Sequence, residues 1–328
     1  LKKINTDLDV FFSFYNKNKN ITITGTNGKS TTAKILYEIL RNQKIDVRLV
    51  GNIGNPILSE KNIKKQTVFV IEASSYQLEY SKIFSSNIAA ILNISTDHLE
   101  RHKTLKNYIS SKFKIIRNQT KKDYAILNMN NLYIKNKVKN QKFFSKIIKI
   151  NKQIKYAVLK KINNDYFLTD GNKENLSFVL EIAKILKVEE KKIFEVLNKF
   201  NGLQFRQQII YKSKSLTIIN DSKSTSFSSS VSVLKSMSNV FWIVGGLAKK
   251  GDQFLLKKNY CKTFKVYIFG KDRKFFINKL KNKIKYESFL NLESLLIKIF
   301  KDVKKNKNLG HQNILFSPAA ASFDSFKN

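Results

Sequence analysis

The chain has 328 residues, enough for two domains each with a real core, and carries 61 Lys plus Arg against 24 Asp plus Glu, a formal net charge of +37. No apolar stretch approaches the roughly 18 residues that span a bilayer, and the start lacks a charged-then-apolar signal pattern, so a soluble cytoplasmic protein without membrane insertion is expected. The single Cys261 excludes an internal disulfide and a cysteine-rich metal site, and the charge excess is mostly Lys interleaved with Asn and Ile, as in "KNKVKNQK" (135–142), a pattern of solvated faces for which no specific nucleic acid is expected.

In chain order, strands alternate with helices. "ITIT" (21–24) predicts a strand, and 30–41 a helix with Ile35, Leu36, Ile39 and Leu40 on one face. Apolar runs follow at "DVRLVG" (46–51), "TVFVIEA" (67–73), "IAAILNIS" (88–95) and "DYAILN" (123–128), with a helical segment over 104–117. Such short, unbroken runs suit a parallel sheet covered on both faces. Around 154–168, "IKYAVLKKINNDYFL" alternates and predicts an antiparallel ribbon or edge. Two helical patterns over 173–199 end at "NG" (201–202). A second α/β series then begins, with strands over 215–221, 239–246, 263–270 and 312–318 and helices near 227–237, 271–281 and 291–303. The break near 201–206 is the natural domain boundary.

The first strand and helix are joined by "TITGTNGKSTT" (22–32). The common phosphate loop has a Gly, four residues and then Gly-Lys-Ser/Thr. Counting back from Gly28, that first Gly falls on Ile23, so this loop is a short version. Its place between a buried strand and a helix N-terminus still suits an anion, because the helix adds amides and a favourable dipole. Gly25 and Gly28 let the backbone approach, Lys29 supplies charge, and the Ser30 hydroxyl is placed to ligate Mg²⁺.

The short loop "GTNGKST" resembles that of the Mur ligase family of ATP-dependent amide-forming enzymes. Further stretches fit at the family's order and spacing. "GNIGNP" (51–56) resembles its Gly-Asn-x-Gly turn, "IEASSYQLE" (71–79) a Glu-x-Ser-Ser-Phe-Gln-Leu-Glu segment, and "NISTDHLERH" (93–102) its Asn-x-x-x-Asp-His stretch. "YISSKFKI" (108–115) stands in place of the following Lys helix. "NDSKST" (220–225), "GGLAKKGDQF" (245–254) and "SPAAASFDSF" (317–326) resemble signatures of the branch that adds D-glutamate.

The resemblance implies an α/β chain with a central P-loop ATPase domain on a mostly parallel sheet, 1–202, followed by a Rossmann-like C-terminal α/β domain, 203–328, truncated at its end. It also implies a chain without the family's N-terminal uridine-nucleotide domain. The implied reaction activates the carboxylate of UDP-N-acetylmuramoyl-L-alanine as an acyl phosphate, which the amine of D-glutamate attacks. Positive charge around the transferred phosphoryl group matters more there than a covalent nucleophile.

ATP and two Mg²⁺ are the implied cofactors, held where the two domains meet. By resemblance Gly25, Thr26, Asn27, Gly28, Lys29, Ser30 and Thr31 grip the phosphates, and Ser30 with Glu72 holds one Mg²⁺. His98 resembles a ligand of the second, and Lys112 resembles the lysine that this family carbamylates. A free ammonium repels a cation, whereas an N-carboxylated lysine offers two oxygens to hard Mg²⁺. The catalytic set is thus Lys29, Glu72, His98 and Lys112. On the residues alone Lys112 is one lysine among dozens, and His98 reads more readily as a structural histidine than as a ligand.

Asn172 and Asn175 in "DGNKEN" match two asparagines of a Gly-x-His-Asn-x-x-Asn pattern, with Thr169 and Gly171 in place of the Gly and His. Arg206 in "GLQFRQQ" sits where the family has Gly-Leu-Pro-His-Arg-x-Glu, with Phe205 for His and Gln208 for Glu. Arg206, Asp221 and Lys223 are further expected ATP contacts. Asn52, Ser74, Gln77, Thr225, Lys249, Ser317 and Phe323 are expected on the substrate side, and a monomer is expected.

Other readings stand beside this one. A P-loop switch or kinase shares the loop but leaves "NDSKST" and "SPAAASFDSF" without a role. Other Mur ligases and folylpolyglutamate synthetase share the first half. A basic nucleic-acid-binding P-loop protein uses the charge, yet no RNP-like, zinc-knuckle or helix-turn-helix pattern is present.

Overall fold

The structure is a computed structural model and describes residues 5–151, 154, 156–249, 251–306 and 310–320. Two units separate within it. The first runs to Phe167 and resumes over Asn172–Phe200, and the second comprises Leu168–Gly171 and the chain from Asn201 on.

In the first unit the apolar runs become β1 (Asn20–Thr24), β2 (Val47–Gly51), β3 (Val68–Glu72), β4 (Ile88–Ile91), β5 (Tyr124–Asn128) and β6 (Lys146–Ile150). They form a sheet in the order β2-β3-β1-β4-β5-β6, parallel throughout. Alternate side chains pass to opposite faces, as strand geometry dictates. Phe69, Ile71, Ala89 and Ile91 enter one apolar cluster with Phe11, Phe84 and Tyr108. Ile21, Ile23, Val70 and Ala90 enter the other with Leu36, Leu40, Phe178 and Ile182.

Parallel pairing requires crossovers: α2 (Lys29–Asn42), a 3₁₀ turn over Ile57–Ser59, α3 (Ser75–Tyr80), α4 (Leu99–His102) with α5 (Leu105–Phe113), and α6 (Leu132–Lys139) lie between successive strands, while α1 (Asp7–Tyr15) precedes β1 and α7 (Tyr156–Leu159), α8 (Asp170–Ile185) and α9 (Glu190–Lys199) follow β6. In α2 the residues Ile35, Leu36, Ile39 and Leu40 are all buried, the face that the spacing predicts. The register Ile23↔Glu72 and Thr24↔Ile91 ends β1, β3 and β4 on a common edge, where ligands of such sheets lie.

Among the described residues of 154–168 the expected antiparallel ribbon is absent. That stretch forms α7 and a 3₁₀ turn over Asp165–Leu168. Asn164 decides it: its Nδ2 donates to the Leu197 and Phe200 carbonyls at 2.8 Å each, and its Oδ1 accepts from the Tyr166 amide at 3.0 Å. The turn so nucleated buries Phe167 against Leu197 and Phe200, a tertiary gain that overrides local alternation.

The second unit holds β7 (Gln208–Lys212), β8 (Leu216–Asn220), β9 (Val240–Gly245), β10 (Phe264–Phe269), β11 (Lys285–Ser288) and β12 (Gln312–Phe316), with α10 (Phe227–Leu234), α11 (Arg273–Leu280) and α12 (Leu292–Lys305). Its sheet runs β11-β10-β9-β12-β8-β7, parallel except for β7, which pairs antiparallel with β8. Trp242, fully buried, packs with Phe227 and Phe254 at its centre. Among the described residues no helix is long and apolar enough to cross a membrane.

Candidate active site

At the end of β1 the chain turns sharply and enters α2. Gly28 caps this helix at φ 84° and provides no side-chain cap, so no cap side chain covers the first-turn amides. A Cβ there would sit 2.1 Å from Asn175 Oδ1, so this glycine is required both by its backbone angle and by its neighbour. The loop is clamped from β4: the Asn27 amide donates to Asn93 Oδ1 at 2.9 Å, and Asn93 Nδ2 donates to the Asn27 carbonyl at 3.2 Å. Thr26 donates its amide to the Asn93 carbonyl at 2.9 Å, and its hydroxyl meets Tyr108 OH at 3.1 Å. Lys29 folds back on the Thr26 carbonyl at 3.0 Å, and Ser30 and Thr31 are buried.

Glu72 closes β3 and is fully buried. One carboxylate oxygen accepts from Asn52 Nδ2 at 3.1 Å, while the other has no hydrogen-bond partner. A buried carboxylate oxygen without a donor is costly unless something positive arrives. Just beyond, Ser74 and Gln77 form a capping box that starts α3, and Gln77 Nε2 donates to Asp7 at 2.7 Å. Their polar atoms therefore serve the helix start, and Asn52 serves Glu72.

His98 caps α4 in the left-handed region, φ 54° and ψ 32°, held by its amide on Asp97 Oδ1 at 3.0 Å. Its Nδ1 lies 2.9 Å from Tyr76 OH, and its Nε2 lies 3.4 Å from Asp97 Oδ2. Lys112, on α5, is buried and donates to the Gly25 carbonyl at 2.7 Å, with Nζ 4.6 Å from the Tyr108 ring centre. Burial, reinforced by the nearby Lys29 charge, holds its amine well below the ordinary lysine range. Lys29, Glu72 and Lys112 are thus close enough for their charges to couple, and Lys112 touches the phosphate loop directly.

Asn172 and Asn175 are buried on α8, where Asn172 Nδ2 donates to the Tyr166 carbonyl at 2.7 Å. Between them, Glu174 accepts from Asn93 Nδ2 at 2.9 Å, and burial raises its carboxyl above the usual range.

In the second unit Asp221 follows β8 and is buried. It accepts from the Gln207 amide at 3.1 Å and from Ser317 Oγ at 2.8 Å, and burial pushes it up to about 7. Ser317 is fully buried and also meets Ser230 Oγ at 2.7 Å. Arg206 is half-buried between Phe205 and Gln207, whose φ values of 63° and 49° are left-handed. Lys223 is exposed, and Thr225 and Lys249 are half-buried. Phe323 lies outside the described residues.

Sequence reasoning did not single out Asn93, Tyr108, His102 or Glu174. Asn93 opens the quoted "NISTDHLERH" stretch and His102 closes it. Glu174 shares the i, i+4 stripe of Phe178 and Ile182, both buried, so an acid at an apolar stripe position was its signal.

Among the described residues no three His, Cys, Asp or Glu side chains are spaced to hold a metal ion by themselves. That suits Mg²⁺, which takes one or two carboxylates and completes its shell with phosphates and water. The open oxygen of the buried Glu72 and the hydroxyl of the buried Ser30, in the first turn of α2, are hard oxygen donors of the kind Mg²⁺ takes.

A family model for the Mur ligase middle domain matches residues 23–200. The UDP-N-acetylmuramoylalanine--D-glutamate ligase of Rickettsia bellii is 33% identical over 345 residues, covering 99% of this chain and 76% of that protein. The ligase of the same name from Rickettsia felis is 35% identical over 341 residues, covering 98% and 75%. Among solved structures, MurF ligase from Thermotoga maritima in complex with ADP has a TM-score of 0.69 at 17% identity, over 97% of this chain and 82% of that one, a likeness of fold.

Proposed function

This chain belongs to the Mur ligase family, and we propose that it consumes ATP to join D-glutamate to UDP-N-acetylmuramoyl-L-alanine in peptidoglycan precursor synthesis. Residues 1–202 form its ATP-binding domain and 203–328 its C-terminal domain. The observation that carries the reading is local. On one strand edge a phosphate loop, a buried carboxylate with an open oxygen and a buried lysine of lowered basicity lie close together.

The loop from Gly25 to Thr31, with Lys29, binds and orients the β- and γ-phosphates. Ser30 and Glu72 would hold one Mg²⁺, and His98 with Lys112, the latter as its carbamate, would hold a second. When bound, the ions would supply positive charge against the transferred phosphoryl group. Carbamylation requires a neutral amine, and burial of Lys112 favours that form.

A substrate carboxylate oxygen bonds to the γ-phosphorus as ADP leaves. The D-glutamate nitrogen then attacks the acyl carbon, phosphate departs with that oxygen, and the amine proton passes to solvent. Lys29 is positioned to follow the charge that moves from ATP to the acyl phosphate. Lys249 and Thr225 provide a cation and a hydroxyl suited to the dicarboxylate amino acid. ATP use and a single free cysteine suit the cytoplasm.

The test is isotopic. With oxygen-18 in the substrate carboxylate, the complete gene product transfers one labelled oxygen to the released phosphate. Unlabelled phosphate contradicts the acyl-phosphate route.

A further inference from the structure

Two consecutive amides of the phosphate loop are held by one residue. Thr26 donates to the Asn93 carbonyl at 2.9 Å and Asn27 to Asn93 Oδ1 at 2.9 Å, while Asn93 Nδ2 returns a hydrogen bond to the Asn27 carbonyl at 3.2 Å. An amide side chain can do this in one orientation only, because the Asn27 N–H needs its oxygen and the Asn27 carbonyl its nitrogen. That uses one of the two Nδ2 protons.

Glu174 takes the other. Its Oε1 accepts from Asn93 Nδ2 at 2.9 Å, from a position on α8 that lies 81 residues along the chain. Asn128, at the end of β5, is a second side-chain donor to this carboxylate, and its Nδ2 also donates to the Leu92 carbonyl at 2.8 Å. One position further along α8, Asn175 meets the loop directly, its Oδ1 lying 2.1 Å from where a Cβ on Gly28 would stand. Helix α8 therefore reaches two consecutive loop residues, Asn27 through Glu174 and Asn93, and Gly28 through Asn175.

We infer that Glu174 is a positioning residue for the phosphate loop: by engaging the second Asn93 Nδ2 proton it locks the side chain that clamps Asn27, and so sets the loop in the conformation that receives the phosphates of a nucleotide. It acts through Asn93 and touches no reacting atom. A loop ordered before the nucleotide arrives loses less conformational freedom on binding, which raises affinity. Because that ordering serves the bound nucleotide before and during phosphoryl transfer alike, it acts on KM more than on kcat. A clasp that only held α8 to the sheet would change stability and leave the loop as it is. The inference rests on the reading of residues 25–31 as a nucleotide loop.

The test uses Glu174→Met, which keeps the length of the side chain and removes the acceptor, beside Asn93→Ala and the double variant, all in the complete gene product. ADP affinity is measured by calorimetry, KM for ATP against kcat by phosphate release, and loop order by deuterium uptake of a peptide covering 22–32 without nucleotide. Glu174→Met is expected to weaken ADP binding about tenfold, the lower end for a lost hydrogen bond to a charged group, to raise KM for ATP in step while kcat moves far less, and to speed exchange in the loop. The double variant should bind ADP no more weakly than Asn93→Ala, since the two groups act as one. Native ADP affinity or native loop exchange in Glu174→Met overturns the inference, as does an effect of Glu174→Met that persists undiminished beside Asn93→Ala. Should Asn93→Ala not fold, affinity and loop exchange in Glu174→Met decide alone. A native protein that binds no ADP overturns the nucleotide reading and this inference with it.

Discussion

Glu72 and Asp221 are both buried carboxylates at the C-terminal end of a parallel strand, one in each unit, yet their surroundings differ. Glu72 has one oxygen held by Asn52 and the other open. Asp221 has both oxygens engaged, by the Gln207 amide and the Ser317 hydroxyl. Burial, only partly offset by those two hydrogen bonds and the Arg206 charge, pushes Asp221 up to about 7, so near neutral pH a proton can do for it what a metal would do for Glu72. The contrast teaches that burial alone does not distinguish a site from a structural network. The open valence does.

The sharpest way to break the comparison is to neutralise each carboxylate. Glu72→Gln, like Lys29→Ala beside it, should lower ATP-dependent phosphate release by at least about 10²–10³-fold, the scale for losing one electrostatic contact to the transition state. Circular dichroism should show the native fold in both. Near-native turnover in Glu72→Gln would remove the distinction drawn between the two carboxylates.

Lys112→Ala should lose turnover on a comparable scale and recover part of it with added short carboxylates, which can stand in for the missing carbamate. A folded variant that no carboxylate rescues argues against the modified lysine.

Gly28→Ala comes next. It places a Cβ 2.1 Å from Asn175 Oδ1 at φ 84°, and should destabilise the first unit by roughly 1–3 kcal/mol in denaturant titration while weakening nucleotide binding. A variant as stable as the native chain would show that the loop can open at this point.

Asp221→Asn should have the smallest effect, and one set by pH. The native carboxyl binds its proton until about pH 7, whereas the unfolded one releases it near the ordinary aspartate value of 3.8. Between those values the unfolded state holds fewer protons, so this contribution is full below about pH 4 and is lost as pH rises through about 7. Melting temperatures across that range should decline in the native chain relative to Asp221→Asn. Parallel curves would mean that Asp221 stays charged in the folded protein.

What was legible in the sequence follows the range of the interactions involved. The phosphate loop is local, so the spacing of Gly25, Gly28, Lys29 and Ser30 sufficed to place it at a strand-to-helix turn. Glu72 was legible as the end of an apolar run. Lys112 was not legible from its own surroundings, because the Gly25 carbonyl that it meets lies 87 residues away in sequence, and only motif order singled it out. The Asn93 clamp on Asn27 joins residues 66 apart and its Glu174 contact residues 81 apart, which no local pattern encodes. β7 was missed because four of its five residues are exposed, so it lacks the apolar run of a covered strand. The error over 154–168 has a like origin, since Asn164 answers to the Leu197 and Phe200 carbonyls, 33 and 36 residues away, as well as to Tyr166.

The most direct measurement is ATP-dependent phosphate release by the complete gene product, with UDP-N-acetylmuramoyl-L-alanine and a panel of amino acids offered one at a time. Release that depends on D-glutamate alone is the predicted result. Release driven by a different amino acid, or by none of them, contradicts the account.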